Sequence, residues 1–150
     1  MHDDGTVSCW GGNAQGQLGN NSTTQSLTPV AVSGISTATS VATGEYHSCA
    51  LLSDGTVSCW GSNVRGQLGN NATTESLTPV AVSGLSTATS LATGWNHSLA
   101  VLDDGTLMGW GIILSAKQLG ATIISFLKLL VGTEPRVNPH EHPLDCVNKG

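Results

Sequence analysis

The chain has 150 residues, a formal net charge of −5, 19 glycines and four cysteines. Residues 1–111 carry seven acidic side chains against the single basic Arg65. Nothing in that segment can neutralise phosphates or draw the chain to an anionic lipid surface, so nucleic acid and membrane are excluded as its partners.

Residues 1–11 read as the second half of a β-hairpin whose first strand is missing, which leaves an edge exposed unless something replaces it. A loop follows at 12–27, GNAQGQLGNNSTTQSL, where Gly16 and Gly19 allow tight turns and the Asn and Thr side chains can cap backbone groups. The sequence predicts short strands at 28–33, with Pro29 at the strand entrance or an edge, and at 37–43, ended by Gly44. The stretch 47–61, HSCALLSDGTVSCWG, then places two apolar-rich runs on either side of Ser53-Asp54-Gly55. That connector suits a three-residue hairpin loop with Gly in the left-handed position. With this loop Leu51 faces Val57, Ala50 faces Ser58 and Cys49 faces Cys59, close enough for a disulfide.

The same series returns as a loop at 63–77, strands at 78–83 and 87–93, and a hairpin at 97–111. Asp4, Asp54 and Asp104 each open an Asp-Gly-Thr turn followed six residues later by Trp10, Trp60 and Trp110, which is a period of fifty. Between 4–53 and 54–103, 38 of 50 positions are identical. In the third hairpin both cysteine positions are exchanged together, to Leu99 and Gly109, as a bonded pair would be. Cys9 has no mate by this rule, since its partner would stand before Met1, and the chain is read as starting inside a repeat. Four short strands per tandem unit describe the blades of a β-propeller, whose units bury their apolar faces only against neighbours. The expected fold is all-β: an incomplete β-propeller of four-stranded antiparallel blades over 1–111.

The run GTVSCWGSNVRGQLG, preceded by GEYHSCALLSD and followed by TPVAVSG, resembles a repeat of the regulator of chromosome condensation family, in its bacterial type. Gly61, Asn63, Gly66, Gln67, Leu68 and Gly69 stand as that motif requires, as do Gly11, Asn13, Gly16, Gln17, Leu18 and Gly19. The resemblance covers about 1–111 and implies propeller blades. It breaks after Trp110-Gly111, where the chain reads IILSAKQLG and four of its five basic residues follow, Lys117, Lys128, Arg136 and Lys149. A decayed blade, a fused segment and translation in a shifted frame are the three readings, the last two together being favoured. Within this tail, 112–150, the apolar spacing at 116–131 fits a short amphipathic helix, too mixed to span a membrane. Residues 132–150, with Pro135, Pro139 and Pro143, read as irregular or disordered.

Candidate chemistry is sparse. His47 and His97 stand beside Ser48 and Ser98, but neighbours on a strand point to opposite faces, so neither pair makes a nucleophile and its base. Their repetition marks them as blade-building residues bonded within the blade. Trp10, Trp60 and Trp110 read as core or inter-blade packing. The Gly-rich loops lack the GxxxxGK[ST] order of a phosphate cradle. His140, His142, Asp145 and Cys146 are metal-capable, yet their Pro-rich setting gives no ligand spacing. Asn20, Asn21, Asn71 and Asn96 fit the glycosylation acceptor pattern. No catalytic residue, cofactor or metal is expected.

The repeats differ mainly in loops, at Gly12/Ser62, Ala14/Val64, Gln15/Arg65, Gln25/Glu75 and Glu45-Tyr46/Trp95-Asn96. Arg65, Glu75, Trp95 and Asn96 are therefore the candidate partner-contact residues. The reading that follows is a non-catalytic protein-interaction or scaffold module with an unidentified protein partner, and with self-association or further blades to cover its ends. The alternatives are an accessory domain of a larger secreted enzyme, an exchange regulator of a small GTPase as the resemblance implies, or a truncated fragment without function. The cysteine pair favours an extracellular or cell-surface location, with a reducing cytoplasm as the alternative. No signal peptide is read at Met1-His-Asp-Asp-Gly.

Overall fold

The structure is a computed structural model, and it describes residues 1–112 together with Asp145–Cys146. The proposed helix at 116–131 and the histidines 140 and 142 lie outside the described residues. Among the described residues ten strands alternate with turns: β1 (Ser8–Gly11), β2 (Ser26–Ala31), β3 (Ala38–Thr43), β4 (His47–Leu52), β5 (Val57–Gly61), β6 (Ser76–Ala81), β7 (Ala88–Thr93), β8 (His97–Leu102), β9 (Leu107–Gly111) and β10 (Asp145–Cys146). They form three antiparallel sheets in the orders β10-β1-β2, β3-β4-β5-β6 and β7-β8-β9.

Local chemistry sets each hairpin. Gly55 adopts φ 82 at the end of the three-residue turn, where a side chain would be strained. The Asp54 carboxylate accepts from the Thr56 backbone N–H at 2.9 Å and from the Thr56 hydroxyl at 2.6 Å, and Asp4 with Thr6 and Asp104 with Thr106 repeat the arrangement. These contacts hold the three carboxyls below their usual range. The turn fixes the register, so Leu51 faces Val57, Ala50 faces Ser58 and Cys49 faces Cys59. A disulfide joins the last pair, whose Cα atoms are 4.0 Å apart.

The outer strands start two residues earlier than the sequence suggests. Ser26 and Ser76 already pair with Gly11 and Gly61 across a bulge, because those glycines at positive φ let the inner strand run on past its Trp. Pro29 and Pro79 therefore sit inside β2 and β6 and not at their entrances. Both are edge strands, where a missing N–H leaves no ladder bond broken.

The core lies between sheets. One cluster joins Val7, Cys9 and Leu18 of the first unit to Ala50 and Trp60 of the second. The next joins Cys49, Cys59 and Leu68 to Leu91 and Ala100. Each sheet is thus a blade that buries its apolar face only against its neighbour, as stacked repeats must. β5, covered on both sides, is almost wholly buried, whereas Leu107 and Met108 of β9 are 53% and 44% exposed.

At the chain end, Asp145–Cys146 forms β10 within the Pro-rich stretch. It takes the place of the strand missing beside β1, aligning Cys9 with Cys146 and Trp10 with Asp145, and Cys9, read from sequence as lacking a mate, is not a free thiol.

Candidate interaction surface

The ladder registers sort the connections onto two ends of the blades. His47 and Ser76 both pair with Gly61, so the turn at 44–46 and the loop at 62–75 share one end. The Asp-Gly turns occupy the other. By the same registers the loops at 12–25 and 94–96 belong with the first end. A Cβ on Gly44 would stand 2.5 Å from the Gly94 carbonyl oxygen, so these two turns touch.

Beneath that end a repeated set of bonds locks one blade to the next. The backbone carbonyl of Gln17 accepts from the Trp60 indole at 2.9 Å and from the Ser48 hydroxyl at 3.0 Å. Fifty residues on, the Gln67 carbonyl accepts from Trp110 at 2.9 Å and from Ser98 at 3.2 Å. The ring of Trp60 lies over Gly19, where a Cβ would approach the indole nitrogen to 2.7 Å at a φ of 69. The loop itself is held from within by Asn63. Its amide donates to Asn70, Ala72 and Thr74 while its oxygen accepts from the Leu68 N–H, and Asn13 does the same for the loop before. The recurrent Gly, Asn, Gln and Trp thus make a rigid base for the variable positions.

His47 is bonded differently from the expectation. Its Nε2 lies 2.9 Å from the hydroxyl of Ser98 in the next blade, so the contact is between blades and not within one. Ser98 directs its own proton to the Gln67 carbonyl, which assigns the Nε2–H tautomer to His47 and leaves Nδ1 as an acceptor without a partner. Burial, with a smaller contribution from His97, pushes the imidazole down to about 4 and keeps it neutral. A serine beside a histidine suggests a nucleophile and its base. Both side chains are sealed, with Ser98 and His47 at 0% exposure, so this pair meets no substrate.

The rim above this base is aromatic. Trp95 is 59% exposed and Tyr46 45%, on the two touching turns. Tyr46 bonds Glu45, which raises its phenol above the ordinary value. Val64, 66% exposed, and Arg65 stand on the neighbouring loop, and Glu75 stands where that loop enters β6. Arg65, Glu75, Trp95 and Asn96 therefore lie at one end, separated in sequence but on adjoining connections. Tyr46 and Val64 join them; neither was singled out by sequence, although both fall at positions where the repeats differ. The loop that carries Val64 and Arg65 also borders a cavity of about 330 Å³, lined by Gly66, Gly69, Val82, Leu85, Met108 and Trp110. One blade earlier, Leu77 packs on Gly16, the counterpart of Gly66. Among the described residues, no group of His, Cys, Asp or Glu could hold a metal ion, and no helix is long and apolar enough to cross a membrane.

A profile of the regulator of chromosome condensation (RCC1) repeat matches residues 4–51 and 54–101, and a second profile of that repeat matches 38–67. The chain belongs to the regulator of chromosome condensation repeat family. Human WBSCR16 has a similar crystal structure, at 25% identity and a TM-score of 0.66 over 73% of this chain and 29% of that one. Yeast RCC1 (Prp20), solved with Kap60 bound, is similar at 29% identity and a TM-score of 0.62, over 73% of this chain and 26% of that one. The structure of Prp20p from Saccharomyces cerevisiae, whose binding to Gsp1p and histones was characterised, gives 23% identity and a TM-score of 0.61, over 73% and 30%. A comparison with curated proteins returned no match. The chain spans under a third of each similar structure. In regulator of chromosome condensation terms the described residues are incomplete propeller blades: one sheet of four strands between two sheets of three. A repeat propeller of this kind is a protein-interaction or regulatory module in general.

Proposed function

We propose that this chain is a non-catalytic protein-binding segment that meets its partner with the end bearing Tyr46, Val64, Arg65, Glu75, Trp95 and Asn96. The exposure of Trp95 and Tyr46 on two touching turns carries the reading. Large aromatic side chains on a rigid support are the usual anchors of protein interfaces, since they bury much area at little cost in side-chain entropy. The blade-locking bonds beneath supply that support. Variation between repeats at these positions changes the contact without changing the blade. Protein partners of the similar yeast chain, named in its structures as Kap60, Gsp1p and histones, favour a protein ligand here. An oxidising compartment, the cell surface or the extracellular space, fits the cross-strand disulfide.

The test is affinity capture from the source organism's extracellular fraction with three baits: the unaltered chain, Tyr46→Ala/Trp95→Ala, and Asp54→Asn/Asp104→Asn at the opposite end. Truncating anchors of this kind costs about 2 kcal/mol or more each, roughly thirtyfold in affinity. A protein held by the first and third baits and lost from the second is the expected result. One held equally by all three refutes the assignment of the face.

A further inference from the structure

The first sheet reproduces the second, but with a strand from elsewhere in the chain. β5 lies between β4 and β6, and β1, its counterpart fifty residues earlier, lies between β10 and β2. On the β2 side the registers coincide: Cys9 faces Val30 as Cys59 faces Val80. On the other side they coincide as well. Trp60 faces Ser48 and Cys59 faces Cys49; Trp10 faces Asp145 and Cys9 faces Cys146. Cys146 thus takes the backbone position beside Cys9 that Cys49 takes beside Cys59, and β10 lies against β3 as β4 lies against β7. Cys49 and Cys59 are bonded to each other, Cys9 is fully buried and is not a free thiol, and Cys146 is the fourth cysteine of the chain.

We propose that Cys9 and Cys146 form a second cross-strand disulfide, a clasp that holds the strand at Asp145–Cys146 on the edge of the first blade. A ladder of two residues is too short to persist by its own hydrogen bonds. A covalent tie keeps it in place because it shortens the link between the two strands from a long chain segment to one bond and so raises their effective concentration. The bond forms by exchange with a small-molecule disulfide such as oxidised glutathione. The thiolate of one cysteine attacks a glutathione sulfur, releasing one reduced glutathione. The second thiolate then attacks the mixed disulfide, forming the protein S–S bond and releasing another, and the two thiol protons pass to solvent or to the leaving thiolates. Reduction reverses these steps and frees β10. The edge of β1 then presents unpaired N–H and C=O groups, a template for a strand of a second copy. The clasp couples the redox state of two cysteines, 137 positions apart, to self-association.

The experiment uses the full chain, equilibrated with oxidised glutathione until the Cys49–Cys59 bond is complete, alkylated, and digested without reduction with trypsin and chymotrypsin for mass spectrometry. The expected result is a cross-linked peptide pair containing Cys9 and Cys146. Light scattering after size exclusion should give a larger mass for Cys146→Ser than for the unaltered oxidised chain, and reduction of the unaltered chain should move it the same way. Alkylated Cys9 and Cys146 in that oxidised material, or Cys9 linked to Cys9 of another copy, overturns the clasp. A mass unchanged by Cys146→Ser overturns its role in association even where the bond is found.

Discussion

Lowering the pH from 7.5 to 4 should strip a large part of the stability from this protein, and His47 is the reason. Its imidazole is buried between two blades, and its folded value is pushed from 6.5 to about 4. Between those values the unfolded chain binds a proton that the folded chain refuses, so stability rises with pH across the window and falls as the medium is acidified through it. At about 1.4 kcal/mol per pH unit, the shift amounts to roughly 3 kcal/mol, fully present above pH 6.5 and gone below about pH 4. His97, also lowered by burial, adds in the same direction. The carboxyls of Asp4, Asp54 and Asp104 are lowered from 3.8 and act in a separate, more acidic window. Urea titrations followed by tryptophan fluorescence at half-unit pH steps measure the effect. His47→Gln keeps an N–H for Ser98 but cannot titrate, so its stability should be much flatter between pH 6.5 and 4. An unaltered chain whose midpoint does not move across that window refutes the sealed neutral histidine. So does a His47→Gln variant that retains the full slope.

Other perturbations follow from the same geometry. Gly19→Ala combines a left-handed backbone with a Cβ 2.7 Å from the Trp60 indole, whereas Gly34→Ala has a similar φ and nothing within 4 Å. Thermal denaturation should show Gly34→Ala costing about 1 kcal/mol and Gly19→Ala at least twice that. Asn63→Ala removes the buried amide that ties this loop to Asn70, Ala72, Thr74 and the Leu68 N–H; a loss of about 3 kcal/mol in urea, against about 1 kcal/mol for exposed Asn71→Ala, whose backbone is left-handed at φ 62, would match. Reducing the Cys49–Cys59 bond, which closes a separation of 10 residues, should cost roughly 3 kcal/mol on a chain-entropy estimate, read by comparing Cys49→Ser/Cys59→Ser with the oxidised protein.

The parts of the fold that sequence revealed are those set by near neighbours. Asp54, Gly55 and Thr56 build their own turn within three residues, so the hairpin, its register and the facing cysteines follow from local spacing. Repetition then carries the hairpin from 47–61 to 97–111, and its turn and second strand to the first copy. The tryptophans were marked for packing between blades, but their bonding partners across blades were hidden. The Ser98 hydroxyl that holds His47 lies 51 residues away, and no pattern along one strand points to it. The acceptor of the Trp60 indole is a backbone carbonyl, which every residue offers, so Gln17 gives no signal in that role. β10 was concealed for another reason: two residues in a Pro-rich stretch carry no alternation, and only the partner strand makes them a strand. The end proposed as the contact face was marked only in part. Differences between copies marked Arg65, Glu75, Trp95 and Asn96, while their convergence at one end depends on how the blades stack.

Stacking of the blades through their tryptophans is the central claim, and indole hydrogen exchange tests it most directly. In two-dimensional nuclear magnetic resonance of the oxidised chain in deuterated buffer, the Trp60 Nε1 proton, fully buried and bonded to Gln17, should survive longest. Trp110, part-buried and bonded to Gln67, should exchange next, and exposed Trp95 should vanish within the dead time. A Trp60 indole proton that exchanges as fast as that of Trp95 would contradict the stacked blades and everything built on them.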